Sequence, residues 1–180
     1  MDAKYLQNHF SACYKAQVDA IFRFCSVRVS DREQALDLTQ ETFTRFWQSI
    51  TQGTEIMNER AFLFTVAQRL IIDWYRKKKS LSLEALAEMS GLEEVYEPSD
   101  KKTHIDLEIE TEGRYLLTKI NKLNPSNGHA VYLRFIEGLS PPEIGEILGI
   151  STNAASVRVN RGLEELKRIT GYDDQAVASQ

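Results

Sequence analysis

Three helix faces gather the side chains of this 180-residue chain that are suited to recognition or chemistry. Near the C-terminus, Ala155, Val159 and Leu163 recur at four-residue spacing and define an inward stripe. Asn153, Ser156, Arg158, Asn160 and Arg161 are then left facing outward. Asparagine can pair with both edge groups of adenine, and arginine with guanine or a phosphate, so this face suits the major groove of duplex DNA. A helical hairpin with a merely solvated face would have the same spacing. A second helix ends in Asp73-Trp74-Tyr75-Arg76-Lys77-Lys78-Lys79, with Arg69 two turns earlier. Rings that stack on bases beside cations that hold a backbone suit single-stranded DNA, at about 1–3 kcal/mol per stacked base. A core Trp74 followed by lysines that favour a helix C-terminus explains the run equally well. On a third helix, Asp37, Gln40, Glu41 and Thr44 fall at i, i+3, i+4 and i+7 and share a face. Such a face fits a basic partner surface, or water.

Catalytic constellations are not expected. His9, His104 and His129 match no metal spacing. There is no phosphate-cradling glycine loop and no nucleophile elbow. Glu93-Glu94 and Glu164-Glu165 are adjacent rather than facing, as exposed charge is. The reading is a non-enzyme with no metal, cofactor or small-molecule substrate.

The elements that carry these faces are helical throughout, with no alternating strand pattern. A first helix is predicted from about Asp2 to Val27, with Leu6, Phe10, Cys13, Tyr14, Ala20, Ile21, Phe24 and Cys25 on one face. Ser30-Asp31-Arg32-Glu33 reads as a capping box that opens a second helix to about Ile50. Its stripe is Ala35, Leu36, Phe43, Phe46, Trp47 and Ile50. After a break at Thr51-Gln52-Gly53-Thr54, a third helix spans roughly Asn58 to Lys79, with Leu63, Val66, Ala67, Leu70 and Trp74 inward. Three such amphipathic helices can bury one core, which makes residues 1–80 a first domain.

Residues 81–111 read as an acidic linker able to hold one short helix. The region 112–170 forms a second helical domain, and 171–180 a frayed tail. Within it Pro125 starts a helix that Gly138 is suited to end, and Ser140-Pro141-Pro142-Glu143 is another capping box. The helix Pro141–Leu148 stops at Gly149, and Ser151 caps a helix to about Arg168. Two helices joined by Leu148-Gly149-Ile150-Ser151 make a helix-turn-helix, with Gly145 small enough for close contact.

The formal net charge is −4, which at first sight disfavours DNA. Its distribution does not: residues 1–80 hold twelve basic against nine acidic groups, 81–118 three against ten, and 119–180 seven of each. A binding face is a local property, so the two ends stay compatible with nucleic acid. No apolar run approaches the roughly 20 residues of a membrane span, and the polar start Met1–Phe10 is no secretory signal. Cys13 and Cys25, about 18 Å apart along one helix at 1.5 Å per residue, cannot pair. Reduced core thiols and a cytoplasmic location are expected.

Taken together, the segments resemble the extracytoplasmic-function (ECF) group of the sigma-70 family of RNA polymerase sigma factors. Asp37-Leu38-Thr39-Gln40-Glu41-Thr42-Phe43 with Trp47, and Ala61-Phe62-Leu63-Phe64-Thr65-Val66-Ala67 through Asp73 and Arg76, resemble region 2. Leu123-Asn124-Pro125, Tyr132 to Ser140 and Glu143 to Ser151 resemble region 4. The resemblance implies two small all-α domains, a region 2 three-helix-type bundle and a region 4 helix-turn-helix. It implies that Asp37, Gln40, Glu41 and Thr44 dock on the β′ clamp helices of core polymerase, with the β flap as a further contact. Melted −10 DNA would fall to the loop Thr51–Glu59 and to Asn58, Arg60, Gln68, Arg69, Trp74, Tyr75, Arg76 and Lys77, with a flipped base in a pocket. Duplex −35 DNA would fall to Thr152, Asn153, Ser156, Val157, Arg158, Asn160 and Arg161. The linker would thread toward the RNA exit path, and an anti-sigma factor is a possible partner.

The chain departs from the family pattern at Ala67-Gln68-Arg69, where Ala-Arg-Asn is usual, and at Ala154 to Gly162, where Thr-Val-Lys-Ser-Arg-Leu-His-Arg-Ala is frequent. Promoter sequence therefore does not carry over, and Gly162 within a helix, at about 1 kcal/mol against alanine, predicts looser later turns. A ligand-sensing helix-turn-helix regulator, a helical adaptor and a DNA-processing enzyme are the alternatives. Paired aromatic and basic residues in the first domain disfavour the regulator, and missing catalytic residues the enzyme.

Overall fold

The structure, a computed structural model, describes residues 3–29, 31–88 and 111–171, without the side chains of 79–88 and 111–114. The chain divides into two compact units, Met1–Ile105 and Asp106–Gln180. Among the described residues every regular element is a helix.

In the first unit α1 (Ala3–Ser26), α2 (Arg32–Thr51) and α3 (Glu59–Glu88) pack against one another. Rings dominate the core: Phe24 and Phe46 are fully buried, Phe24 meets Phe64 edge-on at 5.0 Å, and Phe10 meets Trp47 at 5.3 Å. Cys13 and Cys25 are buried free thiols, as expected. The buried threonine hydroxyls are satisfied locally. Thr39, Thr42 and Thr65 donate one turn back to the carbonyls of Ala35, Leu38 and Ala61 at 2.7, 2.7 and 2.8 Å.

Several expectations need correction. Leu36, placed in the α2 stripe, is 40% exposed, and Leu38 is buried instead. The inward line Ala35–Leu38–Thr42–Phe46 steps by three or four residues, and Leu36 lies about 100° off it. Tyr14 sits at the rim, exposed yet with its ring 4.7 Å from Phe43. Trp74 is only half-buried, and Ile71 fills the core one turn earlier. Asp31 rather than Ser30 is the α2 N-cap, and its carboxylate accepts from the Glu33 amide at 2.9 Å; Ser30 lies outside the described residues. Finally, α3 does not stop at Lys79 but continues to Glu88. Ser80-Leu81-Ser82-Leu83-Glu84-Ala85-Leu86-Ala87-Glu88 has no glycine or proline and is rich in good helix formers. The remaining acidic linker, 89–110, and the tail, 172–180, lie outside the described residues.

The second unit consists of α4 (Thr111–Ile120), α5 (Pro125–Val131) running into a π-helical turn Tyr132–Ile136, α6 (Pro141–Leu148) and α7 (Thr152–Thr170). Its start and stop signals match the sequence reading closely. Asn124 caps α5 by accepting from the Ser126 amide at 3.1 Å, with Pro125 in the first turn. The π-helical turn was not foreseen. The Tyr132 hydroxyl donates to the buried Glu137 carboxylate at 2.9 Å across the same five-residue step. Gly138, at φ +66°, then reverses the chain. The Leu139 amide reaches back six residues to the Leu133 carbonyl at 3.0 Å and closes the helix end. Glu143 accepts from the Ser140 amide at 2.7 Å, as a capping box requires.

Gly149, at φ +65°, ends α6, and the Ser151 hydroxyl accepts from the Ala154 amide at 3.2 Å to open α7. The turn is tight: a Cβ on Gly145 would stand 2.8 Å from the Ile150 carbonyl oxygen. These devices fix the angle at which α7 leaves α6.

Candidate nucleic-acid interface

Burial on α7 follows the inward stripe, with one adjustment. Ala155 and Val159 are 0% and 7% exposed, and Gly162 is buried, whereas Leu163 is only half-buried. The opposite side is open. Thr152, Asn153, Val157, Asn160 and Arg161 are exposed, and Ser156 and Arg158 are half-buried. The Ser156 hydroxyl donates back to the Thr152 carbonyl at 3.1 Å, which holds it near the helix surface. A face of amides, guanidinium groups and one valine at the N-terminal half of a helix can contact base edges and phosphates together.

Gly162 is not a point of looseness. A Cβ there would stand 2.5 Å from Val131 Cγ2 and 3.1 Å from the Asn127 carbonyl oxygen, so the missing side chain is what lets α7 approach α5. Glu165, read as solvated charge, reaches across to α5 and accepts from the Asn124 amide at 3.1 Å and from Asn127 Nδ2 at 3.0 Å. Helical periodicity cannot reveal this pairing, because its partners lie some forty residues away.

On α3 the candidate residues divide. Arg69, Tyr75, Arg76 and Lys77 are exposed and Trp74 is half-buried. The Trp74 ring lies 4.8 Å from Tyr75 at 72°, with Lys78 Nζ 5.0 Å from its centroid. Arg76 pairs with Asp73 at 2.8 Å. The Tyr75 hydroxyl donates to the Arg28 carbonyl, which ties this face to the end of α1. Asn58 is exposed and caps α3, its side-chain oxygen accepting from the Ala61 amide at 3.0 Å. Arg60 is half-buried, its guanidinium 5.7 Å from the Phe64 ring.

Gln68 contradicts the expectation of a surface contact: it is 7% exposed, and its Oε1 has no hydrogen-bond partner. Its position is four residues after Phe64 and three before Ile71, both buried, on the side of α3 that packs inward. Between α2 and α3, the loop 52–58 presents Met57 at 89% exposure, a residue the spacing did not single out.

Asp37, Gln40, Glu41 and Thr44 are all exposed on one side of α2. Glu41 pairs with Arg45 at 2.8 Å, and the Thr44 hydroxyl donates to the Gln40 carbonyl at 2.9 Å. Leu36, one turn before Gln40, borders this side, so the face is polar with an apolar edge.

His9 and Glu59 are paired and fasten α1 to the first residue of α3. Burial pushes the Cys13 thiol up to about 12, with the neighbouring Glu59 carboxylate adding to the shift. Burial likewise raises Cys25 to about 11, against opposing effects of Thr39 and Arg28. Among the described residues no group of His, Cys, Asp and Glu is arranged to hold a metal ion. No described helix is long and apolar enough to cross a membrane.

Fold and surfaces together define an all-helical protein whose second unit carries a helix-turn-helix. The family models for Sigma-70 region 2 and Sigma-70, region 4 match residues 13–81 and 113–166. The chain belongs to the sigma-70 family, in its ECF group. Its relatives include the ECF sigma factor SigE of Mycolicibacterium smegmatis, 29% identical over 85% of this chain and 58% of that protein. They also include BldN of Streptomyces coelicolor, 29% identical over 91% and 61%. The chain thus spans less than two thirds of the length of these two relatives. Against SigW of Bacillus subtilis the shares are 90% and 89%, at 28% identity.

Among solved structures, the sigma factor RpoE of Bartonella quintana, in complex with the anti-sigma factor NepR, matches with TM-score 0.68. Identity there is 22%, over 92% of this chain and 98% of that one. CnrH, in complex with the cytosolic domain of CnrY, matches with TM-score 0.61 at 20% identity, over 93% and 91%. At these identities the likeness concerns the fold.

Proposed function

We propose that this chain is an alternative sigma factor: it binds core RNA polymerase and directs initiation at chosen promoters by reading duplex −35 DNA and holding melted −10 DNA. The observation that carries the proposal is the outward face of α7, where Asn153, Val157, Asn160 and Arg161 stay exposed while Ala155 and Val159 are buried. In this reading the unit of α1 to α3 engages polymerase and the melted strand, and the unit of α4 to α7 reads the −35 element. Thr152, Asn153, Ser156, Val157, Arg158, Asn160 and Arg161 contact the duplex. Asn58, Arg60, Arg69, Trp74, Tyr75, Arg76 and Lys77 serve the single strand, through stacking and phosphate contacts. Asp37, Gln40, Glu41 and Thr44 dock on the β′ clamp helices, and the second unit meets the β flap. The chain acts in the cytoplasm and catalyses nothing itself, since bond formation belongs to the polymerase. An anti-sigma factor is a further partner, as RpoE of Bartonella quintana is seen with one.

Copurification with bacterial core polymerase, followed by mapping of transcript starts, tests the proposal. Defined new start sites are the expected result, and their absence despite a folded chain would overturn it. Asp37→Arg with Glu41→Arg should weaken holoenzyme formation while leaving the chain folded. Arg158→Ala with Arg161→Ala should instead reduce duplex affinity and lower the salt slope by about one for each phosphate no longer neutralised.

A further inference from the structure

The recognition helix is fastened to α5 through Gly162 and Glu165, two residues that the proposed function does not use. Gly162 sets how near the two helices come, because a Cβ there would meet Val131 Cγ2 at 2.5 Å, Asn127 O at 3.1 Å and Asn127 Cβ at 3.3 Å. Val131 is buried and β-branched, so its methyl cannot swing aside cheaply. One turn further along α7, Glu165 grips the same end of α5 with both carboxylate oxygens. Oε2 accepts from the Asn124 amide at 3.1 Å and Oε1 from Asn127 Nδ2 at 3.0 Å. A close contact limits depth. A two-pronged hydrogen bond limits rotation and sliding, since each bond holds only within a narrow range of distance and angle. The helix is continuous from Thr152 to Thr170, so a displacement at 162–165 is carried to the outward residues of its N-terminal half.

We infer that Gly162 and Glu165 are positioning residues for −35 reading: through Asn127 they set the depth and rotation at which α7 presents Asn153 to Arg161. This rests on the proposed function. Neither residue needs to touch DNA. A lift or rotation of α7 by a fraction of an ångström to an ångström would misalign bidentate base contacts while leaving long arginines able to reach phosphates.

The test uses the full chain assembled with bacterial core polymerase, offered a duplex library randomised over the −35 segment, with bound sequences counted. The unaltered chain should enrich a motif. Gly162→Ala should flatten that enrichment about tenfold or more, with the salt slope changed by less than one unit because the phosphates stay neutralised. Adding Val131→Ala to it removes the obstructing methyl and should restore enrichment to within about threefold of the unaltered chain, even though the double variant is less stable. A purely structural role cannot raise selectivity while stability falls. Glu165→Gln, which keeps one acceptor, should lose less enrichment than Glu165→Ala, and this pair decides the matter if Gly162→Ala fails to fold. Unchanged enrichment in Gly162→Ala, equal losses in the two Glu165 variants, or a folded double variant that stays flat would each overturn the inference. An unaltered chain that enriches nothing sinks the promoter reading itself.

Discussion

In the unit of α1 to α3, long helices are held by bulk: Phe10, Phe24, Phe43, Phe46, Phe64 and Trp47 interlock as rings. In the unit of α4 to α7, three short helices and the longer α7 are held by backbone devices. Asn124, Ser140 with Glu143, and Ser151 start them, left-handed glycines at 138, 149 and 171 stop them, and Gly145 and Gly162 let them touch. The difference follows from length. A 24-residue helix offers several inward turns for apolar side chains, whereas an eight-residue helix offers two, and its orphan end groups weigh more against it. Orientation in the first unit is therefore set by shape matching of large side chains, and in the second by turns whose geometry is nearly compulsory.

That contrast can be broken by substitutions of opposite kinds. The largest effect is expected from Phe46→Ala, which empties a fully buried ring site beside Phe10, His9 and Phe62. A loss of about 3–5 kcal/mol should appear in denaturant unfolding followed by tryptophan emission. Both tryptophans, Trp47 and Trp74, lie in the first unit, so this probe reports on it alone. Next, Gly149→Ala forces a Cβ into a left-handed backbone at φ +65°. It should cost the second unit about 1–2 kcal/mol, visible in far-ultraviolet circular dichroism while the tryptophan midpoint stays fixed. A shift of that midpoint would mean the units unfold as one.

Caps should cost the same on both sides. Asp31→Ala and Ser151→Ala each remove one side-chain acceptor from a helix start, and each should lose about 1 kcal/mol in its own unit. Unequal losses would show that the contrast extends beyond the cores. The least effect at neutral pH comes from the thiols. Their folded values, about 12 for Cys13 and about 11 for Cys25, lie above the ordinary 9.0. The stabilising contribution is complete below pH 9.0 and is lost as pH rises through the folded values, because only the unfolded chain ionises readily there. Alkaline unfolding should therefore weaken the first unit selectively, and maleimide labelling of the folded chain should be slow. Rapid labelling at about pH 8, where an open thiol ionises appreciably, would contradict the burial.

The second unit was largely legible residue by residue, because its signals are local: Pro125, Gly138, Ser140, Gly149 and Ser151 act on backbone within a few positions of themselves. In the first unit the helices were legible but their faces less so. Leu36 and Leu38 lie about 160° apart around the helix axis, and Ile71 and Trp74 about 60° apart, and composition alone does not choose between the members of either pair. The end of α3 was missed for a related reason. Acidic character suggested a linker, while helix propensity without a breaker carried the helix on to Glu88.

Amino-acid order alone determined that this chain is helical, where its helix-turn-helix begins and turns, and which side of α7 carries asparagine and arginine, since each depends on spacing or on one residue's backbone. Only tertiary structure decided that Gln68 is buried, that Gly162 serves close packing, and that Glu165 grips α5. Those outcomes depend on atoms brought together from distant positions, and no periodicity along the chain records them.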